Sequence, residues 1–346
     1  MPAPTVTSHD VARLAGVSQA TVSRALRDDR RVAEKTKQRV RDAARALGYV
    51  TSELGRGLST RATHRIALVV ELQNTLYQVL IPAIHDELLD HGYRMVLLAE
   101  RGDGGLAERL LDRSVDGAIL MTTRLASTLP VDLAAHELPF VFLNRLGGVG
   151  GVPSVTADNV GGARAAAELL MGAGHTKLGA ILGPADTSTS RDREAGFRGA
   201  LADASIALPS RRVFQREYDH RSGADGLDSL LASDDPPTAV FCANDFIAIG
   251  ALNRALERGV SVPDDLAVVG FDDLEMAAWP VYRLTTVRNP LHDMARRSAA
   301  MLVDLIADPD SGASEVFPTE LVLRGTHGRH VSGGLGSAGG APDSPG

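Results

Sequence analysis

Between Ser18 and Leu26 the chain sets one arginine, Arg24, behind the small or polar residues Gln19, Ala20 and Ser23, just after a glycine and a serine. A guanidinium projecting from a helix with small neighbours can donate two parallel hydrogen bonds to a guanine edge, and the small neighbours let that helix enter a groove. Polar groups of another kind fall at the ends of apolar runs further along: Asn144-Arg145, the loop from Asp186 to Arg193, Asn244-Asp245 and Asp272-Asp273. A carboxylate such as Asp272 can accept from two vicinal hydroxyls while Arg193 or Asn144 donates to others, a chemistry that suits a sugar or a nucleoside. No catalytic constellation accompanies them. The histidines have no spacing that would build a metal site or a triad, and the first apolar run of the body is followed by neither a Gly-x-Gly-x-x-Gly loop nor a Walker lysine. The single cysteine, Cys242, lies in Ala239-Val240-Phe241-Cys242 and reads as a small apolar strand residue, which excludes an internal disulfide and a thiolate cluster. No enzyme activity, metal or cofactor is expected.

The elements that must position Arg24 are short helices. Thr7 caps the first with Asp10 three residues on, and Val11, Leu14 and Ala15 form its inner face. Gly16 ends it through a left-handed turn, and Ser18 caps a second helix that buries Val22 and Leu26 and exposes Gln19, Ala20, Ser23 and Arg24. A third helix, Ala33 to Leu47, places Val40, Ala44 and Leu47 inward and stops at Gly48. Two capped helices around one glycine make a helix-turn-helix. Residues 1–65 hold thirteen Lys and Arg against six acids, a charge of +7, so a chain of net −7 leaves −14 for the remainder. A cationic head on an anionic body is what a phosphate backbone would draw in at one end only.

At 346 residues and 44% apolar content, the chain can build more than one core. From residue 66 onward, short apolar runs alternate with amphipathic stretches: Ile66–Val70, Pro82–His91, Met95–Leu98, Leu106–Ser114 and Ala118–Met121. The pattern repeats after Phe140–Leu143 with helices Gly161–Ala173, Arg193–Ala202, Gly223–Leu231 and Asp245–Arg258, and strands Leu178–Leu182, Ala239–Cys242 and Leu266–Val269. Continuous apolar strands joined by helices predict parallel, doubly wound sheets in two similar lobes. Ligands of such sheets bind beyond the carboxyl ends of the strands, where the polar residues above fall. No run is apolar enough to cross a bilayer, and the first residues do not read as an export signal, so a cytoplasmic location is expected. Residues 329–346, rich in Gly, Ser, Pro and Ala, read as a disordered tail without a heptad repeat.

These motifs resemble the LacI/GalR family of bacterial transcription regulators. Asp10 to Arg24 fills every fixed position of the family's Asp-Val-Ala-x-x-Ala-Gly-Val-Ser-x-x-Thr-Val-Ser-Arg signature. Asp158-Asn159, Gly174-His175, Arg193 with Gly196-Phe197, Gly270 to Asp273 and Leu284 to Val287 resemble its sensor. The resemblance implies a helix-turn-helix domain (1–50), a hinge segment (51–63), a two-lobed, periplasmic-binding-protein-like effector-binding and dimerisation domain (64–328), and the tail. It implies a homodimeric repressor on a pseudo-palindromic duplex operator, controlled by a small effector, expected to be a carbohydrate. Gln19, Ala20 and Arg24 then read bases, Thr7, Thr21, Ser23 and Arg27 lie toward phosphates, and Ser18 belongs to the same DNA-binding set. Leu58 would wedge between base pairs from a hinge helix. The hinge lacks the family's usual proline and carries Gly55 and Gly57, each weakening a helix by about 1 kcal/mol. In the sensor the resemblance implies Asn74, Asn144, Arg193, Phe197, Asn244 and Asp272 around the effector, with Tyr77 and Tyr218 as walls. Asp245 is expected to cap its helix. The rival readings, an exported solute-binding protein or a nucleotide-dependent enzyme, lack respectively a leader and a phosphate loop.

Overall fold

The computed structural model describes residues 6–26, 28–49, 62–71, 76–100 and 105–328. The chain forms two compact units, Met1–Thr63 and His64–Gly346. The expected hinge and tail, together with Arg27, Leu58 and Asn74, fall mainly or wholly outside the described residues.

In the first unit, α1 (Ser8–Ala15), α2 (Gln19–Leu26) and α3 (Glu34–Ala46) close a small core of Val11, Ala12, Ala15, Val22, Ala25, Val40, Ala43 and Ala44. Gly16 takes φ +64° after α1, and Gly48 takes φ +60° after α3, where a side chain would be strained. One expectation fails here: Leu14 is 57% exposed. At about 100° per residue the buried stripe is centred between Val11, Ala12 and Ala15, and Leu14 points roughly a quarter-turn away from it.

The second unit contains two six-stranded sheets. The first lobe is built from β1 (Arg65–Val70), α4 (Tyr77–Asp90), β2 (Arg94–Ala99), α5 (Leu106–Leu111), β3 (Gly117–Leu120), α6 (Leu129–Ala135), β4 (Phe140–Leu143) and β5 (Ser154–Ala157). The second comprises α7 (Asn159–Gly172), β6 (Leu178–Leu182), α8 (Ser188–Asp203), β7 (Val213–Gln215), α9 (His220–Leu231), β8 (Ala239–Cys242), α10 (Asp245–Glu257), β9 (Ala267–Asp272) and β10 (Thr285–Arg288). The chain then returns. Helix α11 (Leu291–Ala307) packs Met294, Ala295, Ala299 and Leu302 into the first lobe's core, β11 (Glu315–Phe317) joins the first sheet and β12 (Glu320–Val322) the second.

The sheet orders are β11-β5-β4-β3-β1-β2 and β12-β10-β9-β8-β6-β7, parallel throughout except for the antiparallel β10–β12 pair. Each therefore repeats the 2-1-3-4-5 winding, in which the strand order reverses beside the first strand and leaves a crevice at the carboxyl ends. The strands are buried on both faces because helices cover both: β6, β8 and β9 contain only buried residues. Two glycines fix the helix layer of the second lobe. A Cβ on Gly250 would lie 2.0 Å from the carbonyl oxygen of His220, and one on Gly223 would lie 2.0 Å from that of Ile247, so α9 and α10 can pack backbone to backbone only because neither has a side chain. Burial pushes the Cys242 thiol far up and leaves it inert.

Candidate functional sites

In the first unit, the caps that hold the two short helices consume some polar groups that the sequence offered to a partner. Thr7 donates to Asp10 through its backbone N–H at 2.9 Å and its hydroxyl at 2.7 Å. Ser18 Oγ accepts the Thr21 N–H at 3.2 Å and shares a 2.8 Å hydrogen bond with the Thr21 hydroxyl. Gln19 Nε2 donates to Ser8 Oγ at 3.2 Å, which ties the start of α2 to the start of α1. Ala20 and Arg24 are exposed, Thr21 and Ser23 half-buried. Arg24 has no ion pair or side-chain hydrogen bond among the described residues, and neither do the exposed Arg30, Lys35 and Arg39.

Other cations of this unit face inward. Lys37, a buried residue of α3, donates to the carbonyl of Asp28 at 3.2 Å and to its carboxylate at 2.9 Å, and Arg41 reaches the same carboxylate at 2.8 Å. The Lys37 hydrogen bond holds the Asp28 carboxyl below its ordinary range. Asp28 itself has φ +59° just after α2. These cations brace the turn out of the reading helix, so the formal charge overstates what is available to phosphates.

In the second unit, the carboxyl ends of both sheets converge on a cleft, and its centre is a buried ion pair. Arg193, on α8, donates from Nη2 to Asp272 Oδ1 at 2.9 Å, from Nε to Asn159 Oδ1 at 2.8 Å and from Nη1 to the carbonyl of Ala243. Its guanidinium stacks 3.7 Å from the centroid of Phe271. Asp272, the last residue of β9, has φ +107°, a strained value for a residue with a side chain. Burial pushes its carboxyl upward, and the Arg193 charge pulls against that shift.

Asn144, just after β4, has φ +68°, is buried, and leaves its Oδ1 without a hydrogen-bond partner. Asn289, beyond β10, lies across from Asp272, donates to it at 3.4 Å and likewise leaves its Oδ1 unpartnered. Tyr218 is half-buried, with its hydroxyl 3.0 Å from Thr189 Oγ1. The lobes meet around this cleft: Leu146 N–H donates to Ser188 Oγ at 2.8 Å, and Arg124 bonds Asp186 at 2.7 Å.

Three sequence expectations need correction. Phe197 offers no surface to a ligand: it is fully buried and stacks on Phe241 with ring centroids 4.9 Å apart, inside the second lobe's core. Tyr77 also belongs to a core, that of the first lobe, and its hydroxyl points at the carbonyl of Met121, 3.5 Å away. The cap of α10 is Asn244, whose side chain accepts the Ile247 N–H at 2.9 Å, while Asp245 is the first helical residue. Asp245 is fully buried and accepts from Leu274 N–H at 2.7 Å and Thr286 Oγ1 at 2.6 Å. Burial and the neighbouring Asp272 charge push its carboxyl well up. Sequence reasoning placed Arg145 among the polar strand-end residues without giving it a role, and it did not single out Asn289, which also follows a strand end, the available signal.

A model of the family described as bacterial regulatory proteins, lacI family, matches residues 7–52, and a periplasmic binding protein-like domain matches residues 167–327. The chain is 30% identical over 327 residues to the HTH-type transcriptional repressor CytR of Escherichia coli K12, covering 92% of this chain and 96% of that protein. Among solved structures it resembles a transcriptional regulator CelR–cellobiose complex, with 31% identity, TM-score 0.71 and coverage of 93% and 99% of the two chains. It also resembles the lac repressor dimer bound to operator and the anti-inducer ONPF, with 26% identity, TM-score 0.83 and coverage of 94% and 100%.

Proposed function

Because the chain belongs to the LacI family of DNA-binding bacterial regulators, we propose that it is a dimeric repressor whose operator affinity is set by a small polyhydroxylated effector, a sugar or sugar derivative, held between the sensor lobes. The observation that carries this reading is the cleft itself. Asp272 is braced by Arg193 at the end of β9, and two buried amide oxygens, on Asn144 and Asn289, lack donors. Buried acceptors without partners cost about 1–3 kcal/mol each, so the arrangement favours an occupant with several O–H groups. The likeness to a cellobiose complex supports the same class of ligand.

On the DNA side, α2 carries the readout. Arg24 is the base reader, Gln19 and Ala20 approach the groove floor, and Thr7, Ser18, Thr21 and Ser23 face phosphates, joined by Arg27 and by Leu58 of the hinge. Asn74, Tyr218 and Asn244 complete the proposed effector contacts. Dimerisation is supported by the large apolar side chains the second unit leaves exposed: Leu89 and Leu97 in the first lobe, and Leu256, Trp279 and Val281 in the second. A dimer of this kind would match a pseudo-palindromic operator, and its DNA places it in the cytoplasm.

Effector binding then changes operator affinity by its differential affinity for the two sensor states, a coupling of typically about 1–3 kcal/mol. The test is an Asp272→Ala variant in gel-shift titrations with the operator, alongside a thermal-shift screen of sugars and nucleosides. The variant is expected to keep operator binding and lose the ligand response. A response equal to that of the parent moves the effector site elsewhere.

A further inference from the structure

Arg145 stands apart from the other buried arginines. Among the described residues, Arg193 and Arg212 are as buried and each is bonded to a carboxylate, Asp272 and Asp235 respectively. Arg145 is only 4% exposed, yet its guanidinium makes no hydrogen bond or ion pair among the described residues. Its one close partner across the cleft is the Tyr218 ring, whose centroid lies 5.3 Å from the guanidinium carbon. The nearest opposite charge acting on it is Asp272, which lies beyond ion-pair distance and is already bonded to Arg193; a buried cation compensated only through space is costly, and a ring face replaces only part of what water supplied.

The backbone holds it there under strain. The Arg145 N–H donates to the Leu143 carbonyl at 2.8 Å across Asn144, which takes φ +68°. A three-residue turn with positive φ at its centre is rare for a residue with a side chain, and such strain collects where a ligand is gripped. The same turn aims the unpartnered Asn144 Oδ1. The cleft wall therefore offers an unbonded cationic donor next to unmet neutral acceptors; a neutral polyol can hydrogen-bond to both but leaves the charge without a contacting partner.

Resting on the reading of this cleft as the effector site, we propose that Arg145 selects the effector by taking an anionic group, a phosphate ester or a carboxylate, carried on the hydroxylated ligand. Arginine's planar fork matches either oxyanion in bidentate fashion, whereas lysine presents a point charge. Asp272, already neutralised by Arg193, is left to receive hydroxyls.

The experiment is calorimetric and thermal-shift titration of the full-length protein with matched sets: glucose, glucose 6-phosphate and glucuronate, the corresponding ribose set, and inorganic phosphate alone. At least one acidic sugar is expected to bind tenfold or more tightly than its neutral parent. The phosphate and carboxylate arms separate the two sources of charge. Arg145→Met is expected to bring the acidic and neutral members of the preferred set within threefold of each other, and Arg145→Lys to recover only part of the preference. Because the guanidinium makes no hydrogen bond or ion pair among the described residues and meets only the Tyr218 ring face, which the apolar methionine side chain can also cover, Arg145→Met is expected to unfold no earlier than the parent when no ligand is present. Neutral sugars equalling or surpassing every acidic one, no acidic member binding, or an undiminished preference in Arg145→Met overturns the assignment. If Asp272→Ala also leaves all binding intact, the cleft reading fails with it; if Asp272→Ala abolishes binding while Arg145→Met keeps the preference, only the role of Arg145 falls.

Discussion

Replacing Arg193 with leucine removes the centre of the sensor. The guanidinium and the Asp272 carboxylate are each about 3% exposed, so the variant strands a carboxylate where solvent cannot reach it, together with the Asn159 and Ala243 acceptors. Breaking a buried pair from one side costs about 3–5 kcal/mol. For a unit of this size that is a fall in melting temperature of about 6–10 °C. The loss also depends on pH in a definite direction. The Asp272 carboxyl is already pushed upward by burial, and without Arg193 it rises further. A group whose folded pKa is raised contributes its stability below the unfolded value of about 3.9 and loses it as pH climbs through the folded value. The deficit of Arg193→Leu should thus be smallest in mild acid and grow toward pH 8, by no more than about 1.4 kcal/mol per pH unit. Adding Asp272→Asn removes the stranded charge and should recover about 2 kcal/mol at neutral pH while leaving the Asn159 and Ala243 acceptors unpaired. Urea unfolding at pH 5, 6.5 and 8 measures all three proteins. A deficit that does not change with pH, or a double variant no more stable than the single one, refutes the view that an uncompensated carboxylate sets the cost.

Arg24→Ala is expected to lower specific operator affinity by about 1–3 kcal/mol and relax preference at one base pair per half-site, checked by gel shifts on single-base operator variants. Gly250→Ala drives a methyl into the His220 carbonyl across α9 and α10 and is expected to destabilise the sensor by about 3 kcal/mol, near the top of the range for overpacking, as measured by chemical denaturation. Asp245 has a raised carboxyl, so its stabilising contribution is present in acid and fades as pH rises through the shifted value. Asp245→Asn should therefore gain on the parent in melting temperature between pH 5 and pH 8, and a constant difference across that range would show that Asp245 is not the titrating group.

The strands Phe140–Leu143, Leu178–Leu182 and Ala239–Cys242 are legible to the residue because they are uninterrupted apolar runs buried on both faces. The sheet margins are not. Strands β7, β11 and β12 have three residues each, too few for any periodicity to register. Helix α8 starts at Ser188, five residues before the apolar pattern does, because Thr187 accepts the Ser190 N–H and turns hydroxyl residues that read as loop into its first turn. Helix α4 likewise begins at Tyr77 and runs through Pro82, where the sequence suggests a start at the proline. For the cleft, the rule that ligands gather beyond strand ends reaches Asn144, Asn244 and Asp272. The distinction between Phe197, sealed against Phe241, and Tyr218, open to the cleft, depends on which ring meets a neighbour from a distant strand, and no local pattern records that.

The route of the chain bears on how the sensor can come into being. Each lobe is assembled from non-contiguous stretches, since the peptide passes between them near Asp158, again near Asn289 and a third time between Phe317 and Glu320. A nascent polypeptide leaving the ribosome therefore cannot finish its first lobe until α11 and β11, made late, have emerged to cover the exposed side of a sheet begun more than two hundred residues earlier. Stop codons or frameshifts that spare everything up to α11 should consequently yield an aggregation-prone product, and severing the sensor by protease into two separately stable halves has no available cut site.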